Sequence, residues 1–340
     1  MALSTLILLD PSARGRRTGA GWALRQSQVL RRLAPAEVAV VRGAGEAEHA
    51  AWHGALGGFG RLIAVGDSAT AFGLVNGVMR LAENHRRALK LGCLSLGRPG
   101  PWSRSLELPT ALERQLDVLA AGHTLPLDVG CVLCGDDSGR PATRYFVSGA
   151  VLGMGAGLHP TGRPGPLGAL HTLAALAAGL RRHALGRLPR VRLTVEGRVL
   201  HEGPWLWGAA MLGRHYPLLG ALAPQAHLSD GALELCWFGG GNPWGDLGRL
   251  GALLLRPRGA ASAWVKAGEL RLEALSGAPA LEADGIALGR LPASVTVLPR
   301  ALPVIVEAVA ARLRGRTQAA LAEAQGAALA GHFKRASHAA

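Results

Sequence analysis

Residues 61–79, RLIAVGDSATAFGLVNGVM, decide the fold of the first part of the chain. Residues 62–65 are apolar and partly β-branched, which is typical of a buried strand in a parallel sheet, and Gly66 ends the run. A helix should follow, with Ser68 or Thr70 as its N-cap. Its apolar face is formed by Leu74, Val75 and Val78. The stretch therefore predicts a strand, a tight turn and a helix, and the N–H groups of such a turn favour an anion above the sheet.

Around this stretch, short apolar runs alternate with helical patterns, which predicts a parallel sheet covered by helices. The predicted strands are residues 3–9, 37–42, 62–65 and 91–96. The predicted helices are residues 21–33, 47–56 and 110–121, the helix that ends the 61–79 stretch, and a further helix after it that extends to about Arg87. The loops after Leu9, Val65 and Leu96 follow strands of one sheet. Because ligands of open α/β sheets bind outside the carboxyl ends of the strands, we expect these loops to converge.

Beyond Leu125 the pattern changes to short alternating runs, which indicates an antiparallel β-sandwich. These runs are residues 127–133, 144–152, 191–199, 206–212, 232–238, 269–275 and 295–298. Helical inserts are expected at 166–185 and 246–255. We thus predict an open parallel α/β domain over 1–124, a β-sandwich domain over 125–306, and an Ala-rich basic tail over 307–340.

The amino-acid composition limits which kind of protein this is and which kind of partner it can bind. Of 340 residues, 49% are apolar and only 18% are charged, which is typical of a folded protein with a large core. The net charge of +14 favours anionic partners, such as lipid head groups, nucleotides or nucleic acid, without distinguishing them. We recognise no signal peptide and no bilayer-spanning stretch, so the expected location is the cytoplasm, with peripheral contact to the anionic inner face of the membrane.

The four cysteines indicate a reducing compartment. Cys131 and Cys134 form a CxxC pair, but they fall in a predicted strand, where positions three apart point to opposite faces. A zinc site is therefore not expected there.

Four blocks carry a family resemblance: residues 66–70 (GDSAT) with 76–77 (NG), 95–106 (SLGRPGPWSRSL), 223–235 (APQAHLSDGALEL), and 282–285 (EADG). In order and spacing they resemble the diacylglycerol kinase and sphingosine kinase superfamily, including its bacterial lipid kinases. That family's pattern is GGDGT, NG, PLGTGNDFARSL, P-x-A-x-x-x-DG-x-L and DGE. The resemblance extends over residues 4 to 306 and implies an N-terminal sheet of the NAD-kinase and diacylglycerol-kinase type.

The resemblance also implies a function, namely ATP- and Mg²⁺-dependent phosphorylation of a lipid hydroxyl. It makes Asp284 the candidate base for the hydroxyl and Asp230 a metal-associated carboxylate. The candidate nucleotide-contacting residues are Asp10, Gly66, Asp67, Ser68, Ala69, Thr70, Gly97, Arg98 and Gly100.

Several of these positions depart from the family pattern. Asp67 replaces a Gly and brings a carboxylate where the backbone should approach phosphate. Ser68 replaces the family Asp and Ala69 replaces a second Gly, while Ile286 replaces the Glu of DGE. Two prolines in the second loop, Pro99 and Pro101, remove N–H donors. We predict that Arg98 compensates by reaching Asp67 or a bound phosphate.

The residues leave more than one function open. The first is an active lipid kinase, and the second is a catalytically inactive pseudokinase that binds lipid or an anionic ligand. Asp230-Gly231 and Asp284-Gly285 can also be read as ordinary hairpin turns. A hydrolase reading of Gly66-Asp67-Ser68 lacks the companion residues it requires, and nucleic-acid binding, which rests on charge alone, is not expected. The oligomeric state is left open.

Overall fold

The computed structural model describes residues 4–13, 17–136, 138–157, 188–216, 220–239, 245 and 264–308. The helical inserts predicted at 166–185 and 246–255 lie outside these residues, as does the tail from residue 309 onward.

The first part of the chain is a parallel sheet in the order β2-β1-β3-β4, as predicted. The strands are β1 (Thr5–Leu9), β2 (Ala36–Val40), β3 (Arg61–Val65) and β4 (Lys90–Cys93). The helices are α1 (Arg17–Arg32), α2 (Gly43–Leu56), α3 (Ser68–Met79), α4 (Glu83–Ala88), α5 (Pro101–Ser105) and α6 (Leu112–Ala121). Every side chain of β1 and β3 is buried, which explains their continuous apolar sequence.

The second part is antiparallel and forms two packed layers. Its strands are β5 (Thr124–Gly135), β6 (Pro141–Phe146), β7 (Gly149–Gly157), β8 (Arg190–Val195), β9 (Arg198–Pro204), β10 (Trp207–Met211), β11 (His215–Tyr216), β12 (Gly220–Ala221), β13 (Leu233–Phe238), β14 (Val265–Ala267), β15 (Glu269–Ser276), β16 (Leu281–Ala283) and β17 (Ile286–Ile305). One layer has the order β6-β5-β17-β15-β8-β9, and the other has the order β14-β13-β10-β7-β16. Alternate residues of both layers meet in one buried cluster, which includes Phe146, Leu193, Leu235 and Leu281. The predicted α/β fold followed by a β-rich domain is confirmed.

A single long strand joins the two parts. β17 pairs along most of its length with β5, and near its end Val304 pairs in parallel with Leu91 of β4. The division at residue 124 therefore stays a prediction, because β17 is hydrogen-bonded to strands on both sides of it.

Two of the predicted strands are each divided into two strands in the structure. Residues 144–152 divide into β6 and β7, because the backbone between them turns aside to bind Asp284. Residues 191–199 divide into the hairpin of β8 and β9, in which Glu196 and Gly197 have φ values of 47° and 80°. Cys131 and Cys134 lie on β5, where the sequence predicts a strand.

Helix α3 lies at the centre of the α/β part, with every residue from Thr70 to Met79 buried. It packs so closely on α2 that two of its glycines touch the α2 backbone. A Cβ at Gly73 would overlap the carbonyl oxygen of Ala44, and one at Gly77 would overlap that of Glu48. The absence of a side chain at Gly73 and Gly77 therefore has a packing reason.

We predict that Gly77→Ala destabilises the protein by about 1–3 kcal/mol, the usual cost of overpacking, because the α2 backbone cannot move aside cheaply. The measurement is the urea midpoint of unfolding. Gly45→Ala is the matched control, since nothing lies within 4 Å of its Cβ position on α2. This control should be neutral or stabilising by up to about 1 kcal/mol. Equal midpoints for Gly77→Ala and the wild type would contradict the close approach.

Candidate functional site

Asp67 caps helix α3, and the prediction that Ser68 or Thr70 is the cap is wrong. Asp67 has extended backbone dihedrals, φ −111° and ψ −161°. Its Oδ1 accepts hydrogen bonds from the N–H groups of Ala69 at 2.9 Å and Thr70 at 3.4 Å. Ser68 is already the first helical residue, and the Thr70 hydroxyl is buried against Gly66 without a hydrogen-bond partner in the described part of the chain. Aspartate is among the best capping residues, so the substitution that breaks the family pattern is locally stabilising.

This cap uses the N–H groups that the sequence assigned to an anion. The first turn of α3 already holds a negative charge, supplied by the chain itself. A phosphate at the same N–H groups would have to displace the Asp67 carboxylate and remain close to it. Like charges in a partly desolvated position repel each other strongly.

The loops after β3 and β4, two of the three that were expected to converge, enclose a small recess. Its lining includes residues 66–68 from the first loop and residues 95 and 100–103 from the second. Ser103 Oγ lies 3.1 Å from Ser95 Oγ and 3.2 Å from Cys93 Sγ at its wall. The recess offers about 30 Å³ to the centre of a water-sized sphere, which is room for one or two waters.

The second loop leads directly into helix α5, a short helix that the sequence did not predict. Gly100 is its N-cap position and Pro101 its first residue, where an N–H is absent. Gly97 and Arg98 are exposed and are not among the described residues that line the recess. The predicted contact of Arg98 with Asp67 or a phosphate stays a prediction.

Asp10 holds its own loop together. Its Oδ1 accepts from Ser12 N at 2.9 Å, Ser12 Oγ at 2.6 Å and Ala13 N at 3.2 Å, and its Oδ2 accepts from Gly43 N at 3.1 Å. With only 3% of the residue exposed, this carboxylate ties the end of β1 to the start of α2. Its predicted contact with a nucleotide stays a prediction.

Asp230, the predicted metal ligand, already has a cation beside it. Its Oδ2 accepts from Lys266 Nζ at 2.8 Å, and the same ammonium lies 3.6 Å from Glu234 Oε1. Both carboxylates raise the pKa of Lys266, and the hydrogen bond to Asp230 is the largest cause. Across the described residues, no group of three or more His, Cys, Asp or Glu side chains is arranged to hold a metal ion.

Asp128 is a structural residue that sequence reasoning missed. It is buried in β5, where its Oδ2 accepts from Gly231 N at 2.7 Å and its Oδ1 from Arg300 N at 2.8 Å. Burial is the largest cause of its raised pKa. Asp128 therefore fixes the turn that follows Asp230. The sequence did contain a signal for this role, because Asp128 is a charged residue inside the apolar run 125–134.

Asp284 sits in a hairpin turn and at a buried site at the same time. Asp284 and Gly285 join β16 to β17 with φ values of 50° and 84°, so the hairpin reading is correct. The carboxylate accepts from the N–H groups of Val147 at 2.9 Å, Ser148 at 2.8 Å and Gly149 at 3.1 Å. Burial raises its pKa to about 6, against the lowering effect of these three donors.

Two connections hold the turn that binds this aspartate, one from each part of the chain. On one side, Asn76 of α3 donates to Tyr145 O at 2.9 Å and accepts from Tyr145 N at 3.0 Å, just before the 147–149 turn. On the other side, Ser148 O accepts from Leu212 N at 3.0 Å and Gly213 N at 2.9 Å. Asp284 is therefore positioned by both lobes.

The second of these connections continues to helix α5. A Cβ at Gly213 would lie 2.9 Å from Ser105 Oγ, so the two segments are in contact. Ser105 Oγ also accepts from His215 N at 3.2 Å. The hydroxyl group of the neighbouring Tyr216 donates a hydrogen bond to Oε1 of the buried Glu282 at 2.8 Å. Glu282 lies two residues before Asp284. The loop after β4 is thereby linked to the strand that carries Asp284.

Comparison with known proteins shows which proteins this chain resembles. Residues 4–132 match the family model of the diacylglycerol kinase catalytic domain. A diacylglycerol kinase of Staphylococcus aureus (strain bovine RF122 / ET3-1) is 28% identical over 251 residues, which cover 72% of this chain and 73% of that protein. The diacylglycerol kinase of strain JH9 is 28% identical over 179 residues, so the match spans about half of it, 51%.

A solved diacylglycerol kinase structure from Bacillus anthracis str. Sterne has a TM-score of 0.66 at 16% identity, covering 91% of this chain and 98% of that one. The predicted resemblance to the diacylglycerol kinase and sphingosine kinase superfamily is confirmed. The matched domain and these relatives support a lipid kinase-like function, and kinases similar to them use a nucleotide. No helix in the described residues has the length and apolar character needed to cross a membrane.

The residues present do not fit the phosphates of ATP or a bound Mg²⁺ at the positions that the superfamily implies. The α3 N–H groups bind Asp67, the second loop begins its helix with Pro101, and Asp230 is paired with Lys266. The predicted role of Asp284 as the base for a lipid hydroxyl stays a prediction; its carboxylate is buried and is bound by backbone N–H groups.

We predict that Asp284 makes stability depend on pH. With a folded-state pKa of about 6, raised from 3.8, the folded protein keeps a proton that the unfolded chain loses between about pH 4 and pH 6. Ionisation therefore costs the wild type stability as the pH rises through this window, whereas Asp284→Asn cannot ionise. The stability of the wild type relative to Asp284→Asn should fall from about pH 4 to pH 6 and then level off. Urea titrations at a series of pH values measure it, and a constant difference across that window would be the contrary result.

Proposed function

We propose that this chain is a pseudokinase of the lipid kinase fold, which binds a lipid or an anionic ligand in the cleft beside Asp284 without transferring phosphate from ATP. The observation that carries the proposal is the capping of α3 by Asp67. Phosphoryl transfer depends almost entirely on positioning and on charge stabilisation, so a phosphate-binding turn that is already occupied removes its starting point.

The pairing of Asp230 supports the same conclusion. A metal ion at Asp230 would have to replace the Lys266 ammonium, which contacts two carboxylates. A kinase would bind a phosphate at the N-terminus of α3 and a metal ion at Asp230. In this chain the Asp67 carboxylate takes the place of the phosphate, and the Lys266 ammonium takes the place of the metal ion. Ile286 adds to this, because it cannot accept a proton or bind a metal as the Glu of the family motif would.

The second candidate is an active lipid kinase, and Asp284 favours it. A buried carboxylate whose pKa is raised to about 6 is suited to accept a proton from a hydroxyl near neutral pH. In that case the lipid hydroxyl would lie next to Asp284, and the nucleotide would have to bind without using the α3 N–H groups. Transfer of radiolabelled phosphate from ATP to diacylglycerol or to a sphingoid base, and its loss in Asp284→Asn, would support this candidate.

We predict that the wild-type protein gains no thermal stability from ATP with Mg²⁺, whereas the double variant Asp67→Gly, Ala69→Gly does. The double variant frees the α3 N–H groups and restores glycines where the family pattern has them. Its own melting temperature should be lower, because losing a capping carboxylate costs about 1 kcal/mol. A tenfold excess of ATP over its dissociation constant would then stabilise the variant by roughly 1.4 kcal/mol.

Asp67→Asn is the matched control for this experiment. Asparagine caps helices about as well as aspartate, so the control removes the charge and keeps the cap. If charge alone excluded the nucleotide, Asp67→Asn would bind ATP as well as the double variant; if occupation of the N–H groups excludes it, Asp67→Asn stays unresponsive. Stabilisation of the wild type by ATP, together with phosphate transfer, would overturn the pseudokinase proposal.

A further inference from the structure

Four basic side chains gather where helix α5 meets the β-rich lobe. They are Arg98 and Arg104 from the second loop and α5, and Arg214 and His215 from the segment that joins β10 to β11, and we call them the seam cluster. Contacts across the seam bring the two segments together. Ser105 Oγ accepts from His215 N at 3.2 Å and lies 3.4 Å from His215 Nδ1, while Arg214 Nη1 donates to Glu107 Oε1 at 2.9 Å.

The seam cluster has a large excess of positive charge. Burial lowers the pKa of Arg104, and the nearby positive charge of Arg98 lowers it further. Burial likewise lowers the pKa of His215, followed by the charges of Arg104 and Arg214, while Glu107 acts in the opposite direction. Arg98 is therefore close enough to Arg104 to repel it, and Arg104 and Arg214 are close enough to oppose a positive charge on His215.

Arg104 also presents a donor that is not used. Its Nε is buried, and no side chain or backbone atom of the described residues accepts a hydrogen bond from it. A buried donor without a partner costs about 1–3 kcal/mol, and mutual repulsion adds to that cost. An anion placed between the guanidinium groups would relieve both, and arginine is the side chain best suited to bind phosphate oxygens in pairs.

We propose that the seam cluster binds a phosphate monoester, presented either as the head group of a phosphorylated lipid or as a free phosphate ester. The site is separate from the recess at Asp67, because it is formed by different side chains on the seam side of α5. Both lobes contribute to it, so the ligand would also hold the cleft together. The proposal depends on the proposed function in one respect, because the rest of the ligand is taken to lie in the cleft beside Asp284.

The experiment compares two sources of the same phosphate. In the first arm, the full chain is sedimented with phosphatidylcholine vesicles that contain either phosphatidic acid or an equal fraction of diacylglycerol, which lacks the phosphate. In the second arm, thermal shift is measured with glycerol 3-phosphate and with glycerol. The variants are Arg104→Gln and Arg98→Gln, and Arg98 is exposed, so that its replacement leaves folding intact even if Arg104→Gln does not fold.

Arg87→Gln is the matched control, since it removes the same charge from an exposed position on α4. The wild type should bind the phosphate-containing probe and not its phosphate-free counterpart in at least one arm. Each seam variant should weaken that binding about tenfold, as expected for the loss of a charge-assisted hydrogen bond, while Arg87→Gln stays within about twofold.

The two arms decide the source of the phosphate. Preference for phosphatidic acid vesicles assigns a lipid head group, and stabilisation by glycerol 3-phosphate alone assigns a soluble ester. No preference for phosphate in either arm, or equal losses in the seam variants and Arg87→Gln, would overturn the seam site. Phosphorylation of diacylglycerol by the wild type would instead defeat the pseudokinase proposal, and the vesicle comparison would still decide the seam site by itself.

Discussion

The Asp67 carboxylate accepts hydrogen bonds from the first N–H groups of helix α3, and the function proposed for this chain depends on that interaction. The same N–H groups would hold a phosphate if Asp67 were glycine, because a helix N-terminus favours any anion that reaches it. An internal carboxylate has an advantage over a ligand, since it is already in place and loses little freedom on binding. Asp67 therefore stabilises the helix, and in the proposed function the same carboxylate excludes a phosphate from the helix N-terminus.

Asp284 retains its surroundings because they are built from backbone. Its three donors are consecutive N–H groups, which are held by Asn76 from one lobe and by Leu212 and Gly213 from the other. Side chains elsewhere in the cleft can change while this arrangement stays the same. The position of Asp284 therefore does not depend on the side chains of the turn before α3.

The strand-turn-helix of residues 61–79 and the two-part fold could be predicted from the sequence, because burial and periodicity are local signals. The cap was missed because Asp67 was considered only as a departure from the family pattern, although aspartate before a helix is itself a capping signal. The pairing of Asp230 with Lys266 could not be predicted, since 36 residues separate them. The break between β6 and β7 could not be predicted either, because it depends on Asp284, which lies more than a hundred residues after the break in the sequence.

The central claim is that the N–H groups of Ala69 and Thr70 are unavailable to a phosphate in the native protein. The most direct measurement is the ¹H and ¹⁵N chemical shift of these two N–H groups in the isotope-labelled full chain, recorded while ATP with Mg²⁺ is added. The account predicts that both signals stay in place at every concentration of nucleotide. Saturable movement of both signals would show that phosphate reaches the turn despite Asp67, and the account would be wrong.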